Sequence, residues 1–314
     1  MFSFDFVIMG ILNLNILISG STGFVGNNLV DFLTKNNHKV IRLVRKEEPY
    51  PEKQIYWNPN SGKMDINKDE KIDAVVHLAG ENVGEGKWTE EKKKKIVESR
   101  LKSTKLLVEN IIKLETKPKV FVSASAVGFY GNRGDEKLTE ESKKGNDFLS
   151  DTCQEWEKYT KIVQESGIRT VVTRIGVVLD DKHGALSKMI FPFKMGVGGI
   201  LGNGKQYMSW IDIQDLVRLI DFCISNDSVN GVVNAVSPNS VTNSKFTSTL
   251  GKVLSRPTLF PLPQFVGKII FGEMGDALLF SGQNVSSEKI VNLGFKFNYP
   301  DLEKSLNRII LGKK

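Results

Sequence analysis

Three glycines near the start of the chain have the spacing G-x-x-G-x-x-G and lie between an apolar segment and an amphipathic one. The first glycine of such a turn permits a tight bend, the second lets the backbone approach a pyrophosphate, and the third lets a helix pack closely on a strand. The helix N-terminus that follows attracts anions. The turn therefore predicts a dinucleotide-binding site formed by Gly20, Ser21, Thr22, Gly23, Phe24, Val25 and Gly26.

A basic residue, Arg45, directly follows the second predicted strand, Val40 to Val44. An acidic residue at this point would bind the ribose hydroxyls of NAD, whereas an arginine accommodates the 2′-phosphate of NADP. Arg45 therefore favours NADP(H) over NAD(H), with a surface arginine at a strand end as the alternative. Asp65 is either an acceptor for the adenine amino group or a plain turn aspartate.

Small residues follow two later apolar strands, and ligands of open α/β sheets bind beyond the carboxyl ends of the strands. Leu78, Ala79 and Gly80 end the strand that begins at Ala74. Ser123 ends the strand that begins at Lys119, and Ser125 follows it. We expect Leu78, Ala79, Gly80 and Ser123 to contact the cofactor. His77 lies within its strand and is predicted to be a core residue.

The net charge of +7 is carried mostly by lysines that are spread along the chain. This distribution favours a solvated surface over a site for nucleic acid or for an anionic surface. The two cysteines form no C-x-x-C pair and the three histidines lack metal-ligand spacing, so we expect a cytoplasmic protein without a metal. Residues 6–30 carry no charge, but glycines and asparagines interrupt them, which argues against a membrane span. No basic segment precedes them, so no signal peptide is predicted.

Strands and helices alternate through the first two-thirds of the sequence. This order predicts an α/β fold, a Rossmann-type doubly wound parallel sheet with a smaller C-terminal substrate lobe. Helices are predicted over residues 92–114 and 151–166, and a further strand over 169–174. We expect an N-terminal extension over residues 1–15, an NADP-binding Rossmann domain over 16–180 and a substrate lobe over 181–314. That lobe includes a small C-terminal domain at about 250–314, and late segments are free to return to the sheet.

The chain resembles the extended short-chain dehydrogenase/reductase superfamily, and more narrowly its atypical branch of NAD-dependent epimerase/dehydratase-like "epimerase family proteins", which carry a small C-terminal domain of unknown function. The resemblance covers about residues 16–314. Its motifs are Gly20-x-x-Gly23-x-x-Gly26, His77-Leu-Ala-Gly-Glu-Asn82, Trp88, Ser99-Arg100, Ser123-Ala-Ser-Ala-Val-Gly-Phe-Tyr-Gly131, Arg174-x-Gly-Val-Val-Leu179, Gly202-x-Gly-x-Gln206, Ser209-Trp210-Ile211, Gly272-Glu-Met274 and Gly294-Phe-x-Phe-x-Tyr-Pro300.

The resemblance implies that Ser125 is the active-site serine near the nicotinamide. It also implies that Arg100 faces the cofactor or the active cleft, with a helix-surface arginine as the alternative. We expect Arg174, Gln206 and Trp210 to bind substrate, although aromatic residues such as Trp210 are mostly core residues.

One feature of the superfamily is missing. Its reductases and epimerases use a tyrosine with a lysine four residues later, which lowers the pKa of the tyrosine. The six tyrosines of this chain are followed at that distance by Gln54, Asn60, Gly134, Val163, Ile211 and Glu303. In the helix that should hold the pair, the two positions are Leu149 and Cys153, and neither can do this work. Tyr130, assisted by Ser125 or Arg174, is the replacement acid/base that we predict.

These observations predict an NADP(H)-binding oxidoreductase or epimerase-like enzyme that acts on a small polar or nucleotide-linked substrate. The missing pair keeps a second hypothesis open, namely a catalytically inactive NADP(H)-sensing regulatory or scaffold protein. We expect a monomer or homodimer whose partner is a small-molecule substrate, with neither nucleic acid nor membrane as a partner.

Overall fold

The computed structural model describes residues 13–312. Of the predicted N-terminal extension, residues 1–12 lie outside this range. The strands are β1 (Asn15–Ser19), β2 (Lys39–Val44), β3 (Lys53–Asn58), β4 (Lys63–Met64), β5 (Ala74–His77), β6 (Val120–Ala126), β7 (Lys137–Leu138), β8 (Arg169–Ile175), β9 (Val177–Leu179), β10 (Tyr207–Met208), β11 (Trp210–Asp212), β12 (Gly231–Ala235), β13 (Val241–Thr242) and β14 (Asn284–Val285).

The helices are α1 (Phe24–Lys35), α2 (Glu90–Ile111), α3 (Phe148–Glu165), α4 (Gly184–Lys194), α5 (Ile213–Ser225), α6 (Asn243–Leu254), α7 (Gln264–Leu279), α8 (Glu288–Asn292) and α9 (Leu302–Leu311). A 3-10 turn, Val127–Tyr130, follows β6 directly. Within residues 13–312, no helix is both long and apolar enough to cross a membrane.

The main sheet has eight strands in the order β12-β8-β6-β5-β1-β2-β3-β4. All of its neighbouring pairs are parallel except β3 and β4. Parallel sheets need cover on both faces, and the alternation of β1 supplies it. Ile16 and Ile18 face a core shared with α1 and α5, whereas Leu17 faces a core shared with α2. The predicted doubly wound α/β fold is confirmed.

Two late elements belong to this sheet. Strand β12 pairs with β8 in parallel, and α5 buries Leu216 and Ile220 in the same core as Leu29 of α1. Residues 213–235 therefore lie in the sheet and its helix layer, although they come after the boundary predicted at residue 180. That boundary stays a prediction as a functional division.

The smaller part of the molecule has a hydrophobic core of its own. Phe193 of α4, Phe246 and Leu250 of α6 and Leu306 of α9 pack together there. Trp210 belongs to the same cluster, with none of its surface exposed. This second body lies beside the carboxyl edge of the sheet, because β9 follows β8 directly and pairs with β11, which leads into α5.

Candidate functional site

The glycine turn connects β1 to α1 in a form that tolerates no side chain at two of its glycines. Gly20 has a φ of +69°, and a Cβ built there would lie 2.7 Å from the carbonyl carbon of Leu78. A Cβ on Gly26 would lie 2.1 Å from the carbonyl oxygen of Gly20. The amide of Gly23 donates to that same oxygen at 3.0 Å. These contacts form the tight strand-to-helix bend that the sequence predicts.

The N-terminus of α1 at this turn is open to an anion. Its N-cap residue, Gly23, supplies no side-chain hydrogen bond, and its first turn contains no acidic residue. By contrast, side-chain oxygens cap α2, α3, α5, α6 and α9. Thr22 and Gly23 are exposed, whereas Ser21 is fully buried. The first amides of α1 are therefore available to a phosphate, as expected of such a turn.

Two arginines near the end of β2 have different roles. Arg42 is buried; its guanidinium donates to the carbonyl of Ser21 at 2.8 Å and to Glu52 Oε2 at 2.9 Å. It holds the glycine turn from behind, a role that the sequence analysis did not identify. Arg45 is exposed and makes no hydrogen bond or ion pair within residues 13–312. Its guanidinium is free to bind an anion.

Arg100 lies behind the loop that follows β5. Its Nη1 donates to the carbonyls of Glu81 and Ile96, and its guanidinium lies 5.1 Å from the centre of the Trp156 ring. A Cβ on Gly80 would come within 3.1 Å of Arg100 Cζ. Burial lowers the pKa of Arg100, yet a guanidinium stays charged. The cation therefore underlies the carboxyl edge of β5 rather than the solvent face of α2.

Ser125 belongs to a buried charged cluster. Its Oγ donates to Glu157 Oε1 at 2.6 Å. The guanidinium of Arg174 binds both oxygens of the same carboxylate, from Nε at 3.0 Å and Nη2 at 2.8 Å. Burial disfavours the charge on Arg174, but the Glu157 carboxylate outweighs it and raises the pKa of Arg174. Arg174 is only 4% exposed and positions Glu157, whereas its binding of substrate stays a prediction.

Tyr130, the predicted acid/base, is a buried residue of this structure. Its side chain has no exposed surface, and its hydroxyl donates to Asn234 Oδ1 at 2.7 Å and accepts from Arg174 Nη1 at 3.1 Å. Burial raises the pKa of the Tyr130 phenol. Both partners of the Tyr130 hydroxyl are thus protein groups, and its role as the acid/base stays a prediction.

Two predicted substrate residues also have structural roles. Gln206 Nε2 donates to the carbonyls of Leu201 and Leu279 at 3.0 and 3.1 Å, which ties a loop to the end of α7. Trp210 Nε1 donates to the carbonyl of Asn239 at 2.9 Å inside the core. Ser123, predicted to contact the cofactor, is 1% exposed and donates to its neighbour's carbonyl. Motif position alone did not reveal that these side chains are turned inward.

The positions of the missing tyrosine and lysine lie on the first two turns of α3. Leu149 packs against Gly128, whose Cβ would lie 3.3 Å from that of Leu149. Cys153 is buried, and burial raises the pKa of its thiol to about 11. A neutral thiol supplies no positive field near Ser125, so Cys153 cannot replace the missing lysine.

His77 is a neutral core residue. One ring nitrogen lies 2.6 Å from Ser19 Oγ and the other 2.8 Å from Thr104 Oγ1. Burial, with a smaller contribution from the nearby Arg100, lowers the pKa of His77 to about 3. Within residues 13–312, no group of three or more histidine, cysteine or acidic residues is placed to hold a metal.

This buried histidine predicts a loss of stability in acid. In the unfolded chain its pKa is near 6.5, so the unfolded state binds more protons below that pH and stability falls as the pH drops from 6.5 towards 3. Between pH 7 and pH 5 we expect a loss of about 2 kcal/mol from His77 alone. Urea unfolding at both pH values would measure it, with His77→Gln as the variant that cannot titrate. Equal pH slopes in the two proteins would contradict the assignment.

The fold and the glycine turn define a nucleotide-binding protein of the Rossmann class. Residues 16–235 match the NAD dependent epimerase/dehydratase family, and residues 262–309 match a domain of unknown function, DUF1731. The chain belongs to this epimerase/dehydratase family. The epimerase family protein YfhF of Bacillus subtilis (strain 168) is 37% identical to it, over 96% of this chain and 99% of the relative. The resemblance predicted from the motifs is confirmed.

Two solved structures are similar to this chain along most of its length. The crystal structure of the human epimerase family protein SDR39U1 (isoform 2) with NADPH has a TM-score of 0.87 and 33% identity, over 96% of this chain and 100% of that one. The nucleoside-diphosphate sugar epimerase from Corynebacterium glutamicum has a TM-score of 0.77 and 34% identity. That match covers 95% of this chain but 58% of the other.

Proposed function

We propose that the chain is an NADP(H)-dependent enzyme that transfers hydride to or from a small polar or nucleotide-linked substrate. The exposed and unpaired guanidinium of Arg45, at the end of β2, is the observation that carries the choice of cofactor. The human relative solved with NADPH supports it. The relative described as a nucleoside-diphosphate sugar epimerase supports a nucleotide-linked substrate.

In this proposal the glycine turn and the first amides of α1 hold the pyrophosphate, and Arg45 binds the 2′-phosphate. Leu78, Ala79 and Gly80 form the surface next to the cofactor, with the Arg100 cation behind them. The residues fit such a group, because side chains at Gly20 and Gly26 would fill the turn. A bound nicotinamide would supply the hydride chemistry.

Ser125 and Glu157 are the proton carriers that we propose. A substrate hydroxyl that loses hydride from its carbon must also lose its proton. Ser125 Oγ can take that proton as its own passes to Glu157 Oε1, at 2.6 Å. Arg174 holds the carboxylate in place through two hydrogen bonds, so the acceptor is fixed before the transfer begins. In the reverse direction the same atoms return the proton.

The cofactor assignment is tested by Arg45→Ala. We expect it to weaken NADPH binding by more than about tenfold and to leave NADH binding almost unchanged, because only NADPH carries the 2′-phosphate that the guanidinium pairs with. Calorimetric titration with each cofactor measures both affinities. Lys46→Ala is the control, since it removes a neighbouring exposed cation. Equal losses for NADPH and NADH would contradict the assignment.

The alternative function is an NADP(H) sensor without turnover. Leu149 and the neutral thiol of Cys153 favour it, since they occupy the positions of the usual tyrosine and lysine. Incubation with NADPH deuterated at the nicotinamide, together with nucleotide sugars and other polar carbonyl compounds, distinguishes the two. Deuterium in a product supports the enzyme. Tight NADPH binding with no deuterium transfer to any compound supports the sensor.

A further inference from the structure

The smaller part of the molecule exposes an unusual number of large apolar side chains. Eight of them come from the end of α4, the loop before α7 and the first half of α7. They are Phe191, Met195, Val197, Leu259, Phe260, Phe265, Ile269 and Ile270, which are between 48% and 76% exposed. Single exposed apolar residues are ordinary, whereas a group of this size marks an interaction surface. We call these eight side chains the apolar face.

The three segments that carry the apolar face lie against one another. The guanidinium of Arg256 donates to the carbonyl of Lys194 at 2.9 Å, which joins the end of α4 to the loop before α7. The amide of Leu262 donates to the carbonyl of Ile200 at 2.8 Å. Helix α7 begins two residues later, so its first turn continues the same surface.

The first half of helix α7 exposes one apolar side. The helix breaks at Gly272, whose φ of 61° and ψ of −147° are not helical. Before the break, Phe265 and Ile269 are four residues apart and share one side of the helix. Both are at least 68% exposed, so nothing within residues 13–312 covers this side. At Gly272 the helix therefore changes direction, and its two halves follow different axes.

The segments that carry the apolar face are basic. Residues 184–206 and 254–272 contain five basic residues and no aspartate or glutamate. The five are Lys188, Lys194, Lys205, Arg256 and Lys268. The carboxylates that follow on α7 are engaged, since Glu273 pairs with Lys93 and Asp276 with Lys268. With Glu273 and Asp276 included, residues 184–206 and 254–276 carry a net charge of +3.

We propose that the apolar face docks on the surface of an anionic lipid bilayer. Apolar side chains that enter the headgroup boundary, surrounded by cations that attract anionic lipids, are what binds a protein to the plane of a membrane. A second copy fits less well, because a two-fold contact would bring the same basic surface against itself. This binding needs no spanning helix. It revises the expectation that a membrane is not a partner, which rested on the lack of a membrane span and a signal peptide and on lysines spread along the chain.

Vesicle co-sedimentation of the full chain tests this proposal without cofactor or substrate. We expect binding to vesicles with about 30% phosphatidylglycerol in phosphatidylcholine, and little to phosphatidylcholine alone, since each lysine near an anionic surface contributes severalfold to the binding constant. Phe265→Ser/Ile269→Ser should reduce binding by more than about tenfold through lost apolar burial. Lys194→Gln/Lys268→Gln should reduce it by about tenfold through lost charge.

Matched variants elsewhere separate a local surface from a general effect of charge. Lys94→Gln/Lys105→Gln removes two exposed lysines of α2, and Ile162→Ser removes an exposed apolar residue of α3. Both should bind vesicles like the unchanged protein. Equal binding to the two kinds of vesicle, or equal losses in the control variants, would overturn the proposal. So would self-association that Phe265→Ser/Ile269→Ser abolishes in a protein that does not bind vesicles, because the occupant would then be a second copy.

Discussion

Glu157→Leu is expected to abolish turnover and to lower the free energy of unfolding by about 3–5 kcal/mol, because it leaves the buried Arg174 guanidinium without its countercharge. Both carboxylate oxygens of Glu157 bind Arg174, and Oε1 also accepts from Ser125. One substitution therefore removes the proton acceptor and breaks a buried ion pair. Denaturant unfolding and steady-state turnover would measure the two effects.

A paired variant separates these two losses. In Glu157→Leu/Arg174→Met both charges are gone, and replacing a buried ion pair with apolar residues of similar size is often neutral for stability. We expect the stability to recover largely while turnover stays lost. Ser125→Ala keeps the ion pair and should lose turnover with a change in stability of about 1 kcal/mol. Full activity in Ser125→Ala, or recovered activity in the paired variant, would show that the cluster is only structural.

Gly26→Ala is expected to remove NADPH binding altogether and to lower stability by about 3 kcal/mol, the upper end of what overpacking costs. The added methyl would meet the carbonyl oxygen of Gly20 at 2.1 Å and the Cα of Ser21 at 2.8 Å, and both are backbone atoms. The turn must then open, which displaces the amides that would face the pyrophosphate. Thermal unfolding and calorimetric titration would test both expectations.

Gly23→Ala is the matched control for stability. Its φ of −79° suits any residue, and its Cβ would meet only the Gly20 carbonyl oxygen, at 3.3 Å. We therefore expect a change within about 1 kcal/mol for this variant. If Gly26→Ala folds as well as Gly23→Ala and still binds NADPH, the tight packing of the turn is unrelated to the cofactor.

Through the first 175 residues the sequence predicted β1, α1, β2, β5, α2, β6, α3 and β8 in this order, but it gave no bounds for β3, β4 and β7. The apolar segment of β1 and the glycine turn define their own boundaries. The starts of two helices were predicted less accurately, because N-capping side chains set them. Helix α2 begins at Glu90, two residues before the predicted start, because Thr89 caps it, and α3 begins at Phe148 because the carboxylate of Asp147 accepts from the amide of Ser150.

The candidate site was less predictable, since the position of a residue in a motif does not show whether its side chain is buried. Tyr130 and Trp210 lie in family motifs, yet both are fully buried. Whether a side chain turns inward depends on partners distant in sequence, such as Asn234 for the Tyr130 hydroxyl. Arg42 is the opposite case, a residue with a role in the site that the motifs did not reveal. Its position in β2 gave no sign that its side chain would donate to the carbonyl of Ser21. An arginine in an otherwise apolar strand was the available signal.

Strand β12 limits where this chain could be divided into separate pieces. It completes the sheet beside β8 and ends at Ala235, where the match to the epimerase/dehydratase family also ends. A cut at residue 180 would leave the edge of β8 unpaired and uncover the core that α5 closes over α1. A cut at residue 235 would uncover part of the same core as well, because Ile290 and Phe295 are buried in it, so the C-terminal segment is needed to close the sheet's helix layer.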